Sequence, residues 1–226
     1  FLPGGLGDYS YEQLLEHADL ALYRAKIAGR NQYAVGEKLI PLDTGNKGKT
    51  AVKLLMDETM EKREFEIYFQ PKISLHNYKI VGAEALVRWR RPDGIVVRPE
   101  HFLPFYEKNG KIVELDFYVF EQVAAFLEKT KRSGITPVPV SVNVSALHAE
   151  DPQTTRRYLE ILEKYKVDPG MLEMELKETD TIRYENIKDL LRSLQEAGFH
   201  TALDNFGVGS SFINLIADVP LNDVKL

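Results

Sequence analysis

FEIYFQPKISLHNYKIVGAEALVRW, residues 65–89, sets the reading of everything around it. Its two halves, FEIYFQPKISL (65–75) and IVGAEALVRW (80–89), are short runs rich in β-branched and aromatic residues, the signature of strands. Working towards the C-terminus, helical periodicity over 114–132 is followed by a strand candidate VPVSVNVSA (138–146), a helix over 154–165 and a strand candidate LEMELKE (172–178). A further helix over 187–197, stopped by Gly198, leads into HTALDNF (200–206), and DVKL (223–226) ends the series. Strands alternating with helices predict a parallel sheet with helical crossovers, and an α/β barrel is the natural closed form. The count stops at the sixth strand, so the expectation is an α/β, TIM-like barrel that is incomplete at the C-terminus.

Upstream the organisation changes. Residues 50–63 repeat apolar positions at helical spacing through Val52, Leu55, Met56 and Met60. Residues 37–49 are rich in Gly, Lys, Asp, Thr and Pro without periodicity, which marks a linker. Before it, residues 1–36 carry one amphipathic helix with Leu14, Leu15, Ala18, Leu22 and Ala25 on a single stripe and Gly29 as its stop. One helix cannot bury that stripe alone, so it is expected to belong to a different domain from residues 50–226.

The chain has 226 residues, 44% of them hydrophobic, enough for a substantial core. Its 29 basic and 34 acidic side chains give a formal charge of -5, which offers no overall attraction to bulk nucleic acid. The absence of cysteine excludes a disulfide framework and thiolate metal sites, and it fits a cytoplasmic setting. No apolar stretch approaches the roughly 20 residues of a membrane helix. Any membrane or sensor part is expected outside these residues.

The chemistry-bearing feature is a set of polar residues at strand ends: Glu84 in VGAE, Asn143 in VSVN, Glu175 in LEME and Asp204 in TALD. Singly, such an acid is more simply a helix N-cap or a surface charge. Four on successive strands of a barrel would converge on one rim. Three carboxylates and an amide oxygen, with neither Cys nor His, form a hard oxygen site suited to Mg²⁺ or Mn²⁺, the ions that stabilise phosphoryl charge and acidify bound water.

These blocks resemble the EAL family of cyclic di-GMP phosphodiesterases. YFQPKISLHNYKIVGAEALVRWRRPDG is similar to the family's opening, with Gln70 and Glu84 14 residues apart as FQP and EALxRW are there. PVSVNVSA resembles the family's Asn strand, LEMELKET its LExEITE strand, ALDNFGVG its DDFGTG loop and VPLNDVKL its LPVDxLKID strand. The resemblance implies that Glu84, Asn143, Glu175 and Asp204 hold the first metal, that Lys225 steers the attacking water, and that Gln70, Leu86 and Arg88 hold the dinucleotide. Arg88 suits a phosphate oxygen because its guanidinium donates two hydrogen bonds in one plane. Gly207 and Gly209 would allow a tight loop near metal or phosphate. The N-terminal stretch ADLALYRAKIAGRN resembles the last helix of a GGDEF diguanylate cyclase domain, matching at Asp19, Tyr23, Lys26, Gly29, Arg30 and Asn31, although the GGDEF loop itself is absent.

Departures from the family pattern weigh on activity. Asn205 replaces the second Asp of DDFG and brings no negative charge to a second metal. Lys177 stands where the family usually has Thr, its ammonium expected near Glu175 and Glu178. The loop after Gly209 reads SSFINL, and the chain stops at Leu226 before the family's later general-base Glu. The expected function is a cyclic di-GMP-binding module with weak or no hydrolysis; the alternative is an active metal-dependent phosphodiesterase, and a purely structural remnant fits the intact EALVRW least. Expected partners are cyclic di-GMP, an attached GGDEF domain and a second copy through the EAL domain.

Overall fold

The computed structural model describes residues 59–92, 94–177, 183–204, 218–219 and 221–225. The helix expected over 11–29, the linker, most of the helix over 50–63, Glu178, Asn205, Gly207 and Gly209 lie outside the described residues. The chain divides into two compact units, one of 1–66 with 88–111 and one of 67–87 with 112–226.

In order, the elements are β1 (Phe65–Ile73), β2 (Ile80–Arg90), β3 (Val96–Val97), α1 (Leu103–Lys108), α2 (Ile112–Arg132), β4 (Val140–Val144), α3 (Thr154–Tyr165), β5 (Leu172–Lys177), α4 (Tyr184–Glu196), β6 (His200–Asp204) and β7 (Asp223–Val224). The sheet runs β1-β2-β4-β5-β6-β7, with β3 on β2. From β2 through β4, β5 and β6 to β7 every pairing is parallel, the organisation read from the alternation. The β2–β3 pair is antiparallel, so the sheet is mixed. That difference comes from the first unit, where a turn at Gly94 (φ 85°) returns the chain after two residues of pairing, too short a strand to show a period.

The first unit packs aromatic rings: Phe65, Trp89, Phe102 and Tyr106 are buried with centroids 5.4–6.4 Å apart, and Trp89 Nε1 donates to Glu64 at 2.8 Å. The second unit layers helices on its sheet. Along α2, Leu115, Val119, Val123 and Leu127 fall on one buried stripe, and Phe120 and Ala124 widen it. Tyr158 and Leu162 do the same for α3, as do Ile187, Leu190, Leu191 and Leu194 for α4. Helix α4 starts earlier than its apolar stripe because a polar first turn with Glu185 suits the positive end of the helix dipole. It ends at Gly198, whose φ of +93° a side chain would resist.

Strand β4 is shorter than its sequence run. Pro139 has no N–H to give to a ladder, and Ser145 turns the chain into a 3-10 helix by accepting from Leu147 N–H. Pro139 is used otherwise: its carbonyl accepts from Ala83 N–H at 3.0 Å, an approach so close that a Cβ on Gly82 would sit 3.1 Å from that oxygen.

Phe120 is 1% exposed and meets Tyr158 at 4.5 Å and Phe199 at 6.1 Å between centroids, whereas Phe126, stacked on Phe69, is 42% exposed. Phe120→Ala is expected to cost about 3–5 kcal/mol in urea denaturation and Phe126→Ala about 1 kcal/mol; equal losses would contradict this packing.

Glu121 on α2 accepts from Lys164 Nζ at 2.6 Å and Tyr165 OH at 3.1 Å on α3, and the Lys164 bond holds its carboxyl below the ordinary 4.5. A depressed carboxyl contributes stability above its unfolded value and loses it as pH falls through the folded one. Glu121→Gln is therefore expected to be less stable than the parent at pH 7 and indistinguishable from it at pH 2 to 3, by thermal melting at each pH. A deficit that persists in acid would show that charge is not what the carboxylate supplies.

Candidate functional site

Strand β5 shows how the site is built. Leu172, Met174 and Leu176 are buried in the core on one face, which forces Glu173, Glu175 and Lys177 onto the other. Neighbouring strands obey the same alternation, and the parallel register sets Asn143 beside Glu175, Ser141 beside both Glu84 and Glu173, and Lys177 beside Asp204.

Glu175 is the centre of this face, with no solvent exposure. Lys225 Nζ lies 2.5 Å from its Oε1 and 3.2 Å from Glu84 Oε2, tying β2, β5 and the residue after β7 together. Glu84 Oε1 accepts from Asn143 Nδ2 at 3.1 Å. Lys72 Nζ, from β1, lies 3.0 Å from the same Glu175 Oε1 and 2.5 Å from Glu173 Oε1. Burial disfavours charge on Glu175, but Lys225, the Ser141 hydroxyl and Lys72 together outweigh it and hold the carboxyl below its ordinary value. Burial wins at Glu173, whose carboxyl is pushed up despite Lys72.

Gln70, Lys72, Glu84, Glu173, Asp204 and Lys225 line one cavity of about 760 Å³. Of the residues singled out from sequence, Glu84, Asn143, Glu175 and Lys225 are thus joined by direct contacts, and Gln70 and Asp204 share the cavity. Leu86 is half-buried on β2; Arg88, half-buried on the same strand, belongs to the first unit. Lys177 is a correction: it is exposed at the end of β5, and among the described residues the ammonium groups paired with Glu175 are those of Lys225 and Lys72. Sequence reasoning missed Lys72 and Glu173, although the period of two along β1 and β5 places them on the site face with Gln70 and Glu175.

A larger cavity, about 1010 Å³, opens at the turns before β4 and β5 and is ringed by Lys131, Arg132, Lys164 and Lys166. These cations sit at the C-terminal ends of α2 and α3, where the helix dipole favours positive charge. Glu84, Glu173, Asp204 and Asp223 line the smaller one.

A second polar knot supports the strand end that carries Asn143. Asp116 Oδ2 on α2 accepts from Ser145 N–H at 2.8 Å and sits 3.2 Å from His148 Nε2, which is 3.2 Å from Tyr158 OH. Burial raises the Asp116 carboxyl.

Among the described residues no group of three or more His, Cys, Asp or Glu is gathered closely enough to grip a divalent cation. Yet Glu175 Oε2 is buried and, among the described residues, without a hydrogen-bond partner. A buried carboxylate oxygen of this kind, in a set of oxygen donors, is what a hard cation would satisfy.

A mainly parallel sheet crossed by helices, with acids, an amide and a lysine gathered on the face opposite its core, defines an α/β protein with a polar site on one face of its sheet. Residues 55–226 match the EAL domain family, and the chain belongs to it. The chain is 28% identical over 217 residues to the signaling protein YkoW of Bacillus subtilis, covering 95% of this chain and 26% of that protein. It is also 28% identical over 217 residues to the bifunctional diguanylate cyclase/cyclic di-GMP phosphodiesterase MucR of Pseudomonas aeruginosa, covering 95% of this chain and 31% of MucR. It therefore spans about a quarter to a third of these relatives. Among solved structures, the PaMucR phosphodiesterase in complex with c-di-GMP superposes with a TM-score of 0.70 at 25% identity, over 78% of this chain and 72% of that one. Among the described residues no helix is long and apolar enough to cross a membrane.

Lys225→Met removes the ammonium that joins Glu84 to the buried Glu175. It is expected to lower stability by about 1–3 kcal/mol in chemical denaturation at neutral pH, the range for a buried carboxylate that loses one charged partner and keeps another, here Lys72, with Lys225→Arg keeping most of it. Unchanged stability in Lys225→Met would contradict the bridge.

Proposed function

We propose that residues 50–226 bind cyclic di-GMP in the cavity beside Glu84 and Lys225 and hydrolyse it weakly or not at all. The observation that carries this is the contact set Glu84–Lys225–Glu175 with Asn143 on Glu84, at the edge of a cavity also lined by Gln70 and Asp204. Its support is the EAL family match together with the relative named for cyclic di-GMP phosphodiesterase activity and the similar structure named as a c-di-GMP complex.

In this reading Glu84, Asn143, Glu175 and Asp204 would hold Mg²⁺ or Mn²⁺, which when bound supplies positive charge to the phosphate and acidifies a water. Lys225 donates from a fixed place between two carboxylates, so it can orient a water at the phosphorus without swinging away. Gln70, Leu86 and Arg88 hold the dinucleotide. Asn205 supplies an amide oxygen where the family pattern has a carboxylate; this removes negative charge from a second cation site, which weakens transition-state stabilisation more than ground-state binding. Residues 1–36 are proposed as the end of a GGDEF domain and 37–49 as the linker to it, with a second copy meeting this one through the EAL domain.

Asn205→Asp is expected to raise Mn²⁺-dependent formation of the linear dinucleotide by about one to three orders of magnitude, tenfold for each ~1.4 kcal/mol, while cyclic di-GMP affinity by calorimetry stays within about threefold. A parent protein that already turns over as fast as the variant would replace this reading with that of an active phosphodiesterase.

A further inference from the structure

Lys72 is a cation that the proposed chemistry leaves without a task. It stands two residues after Gln70 on β1, so the pleat turns both side chains to the cavity, and it is 31% exposed there. Its Nζ reaches two carboxylates of β5, 2.5 Å from Glu173 Oε1 and 3.0 Å from Glu175 Oε1. Lys225 Nζ, 2.5 Å away, meets the same Glu175 oxygen. Two ammonium groups therefore share one carboxylate oxygen, which has two lone pairs to offer, while Oε2 of that carboxylate is buried and, among the described residues, makes no hydrogen bond within 3.5 Å.

We propose that Lys72 is a resident counter-ion of the cation-free domain, holding Glu173 and Glu175 together and competing with a divalent cation for Glu175. The inference rests on the reading of Glu175 as a cation ligand. Without a metal, Glu175 is a fully buried carboxylate, a group that persists in a protein interior only when paired. Lys72 and Lys225 supply that pairing. A divalent ion drawn to Glu175 then meets a positive charge already on the carboxylate, so its binding is weakened by like-charge repulsion and by the need to loosen an existing ion pair.

Glu173 makes the arrangement reversible. It lies two residues before Glu175 on the same face and already accepts Lys72 at the shorter of the two distances, so the ammonium can give up Glu175 and remain paired. Lys225 has a different alternative partner in Glu84, itself in the proposed ligand set, and so it stays within the site. Lys72 is thus a positioning residue and an internal competitor, with Glu173 as its resting place.

Manganese titration by calorimetry, on the purified protein without dinucleotide, tests this. Lys72→Met is expected to bind Mn²⁺ at least tenfold more tightly than the parent, and Lys72→Arg within threefold of it. Glu173→Gln, which leaves Lys72 only Glu175 to pair with, is expected to bind at least threefold more weakly, and it serves if Lys72→Met does not fold. In chelator Lys72→Met is expected to melt below the parent, and the gap should close in saturating Mn²⁺, since the ion replaces the lost counter-charge. Equal or weaker Mn²⁺ binding by Lys72→Met, tighter binding by Glu173→Gln, or a melting gap indifferent to Mn²⁺ would overturn the competition while leaving Glu175 as a ligand. No Mn²⁺ binding by any of these proteins would overturn the ligand reading itself, and the competition with it.

Discussion

A carboxylate with no solvent exposure on the central strand of the parallel run β4–β5–β6 is the constraint to which the rest of the polar face answers. Strand β5 buries Leu172, Met174 and Leu176 in the core, so the alternation of side chains leaves Glu175 no place but the opposite face. A buried charge must be paired or it unfolds its surroundings. Lys225, Lys72 and, through Glu84, Asn143 gather around it from four different places in the chain. The pairs that meet this demand also draw β1, β2, β5 and the end of β7 to one point, and the cavity lies there.

The same arrangement separates two tasks that one set of residues serves. As a structural knot, two lysines neutralise the carboxylates of the sheet's polar face. As the ligand site proposed above, those carboxylates would be the hard oxygen donors of a divalent ion, and the lysine between Glu84 and Glu175 would act on a phosphate. The two tasks draw on the same charge, and that explains why a site of this kind carries ammonium groups and an orphaned oxygen side by side.

Much of this was legible from sequence because the relevant periods are short. Asp204 ends its strand as read, whereas Glu84 lies within β2, which continues through apolar residues to Arg90; helix 154–165 was legible to the residue because Tyr158 and Leu162 mark its buried stripe between clear boundaries. What escaped lies where period or partner is not local. Strand β3 has two residues and no readable alternation. Lys72 and Glu173 end no apolar run on their own strands, and only the sheet brings them together across 101 residues of chain. Lys177, by contrast, is expected beside Glu175 from nearness in sequence, but it ends the strand exposed while Lys72 of β1 and Lys225 after β7 take that place. The Asp116–Ser145–His148 knot is of the same kind, a helix residue tied to a loop that follows a strand.

The most direct test of the central claim is a crystal structure with cyclic di-GMP and Mn²⁺ present. The account requires a phosphate of the dinucleotide in the cavity between Gln70 and Asp204, within hydrogen-bonding reach of Lys225, and manganese on Glu84, Asn143, Glu175 and Asp204. Dinucleotide bound elsewhere, or manganese absent from Glu175 in a crystal soaked to saturation, would contradict it.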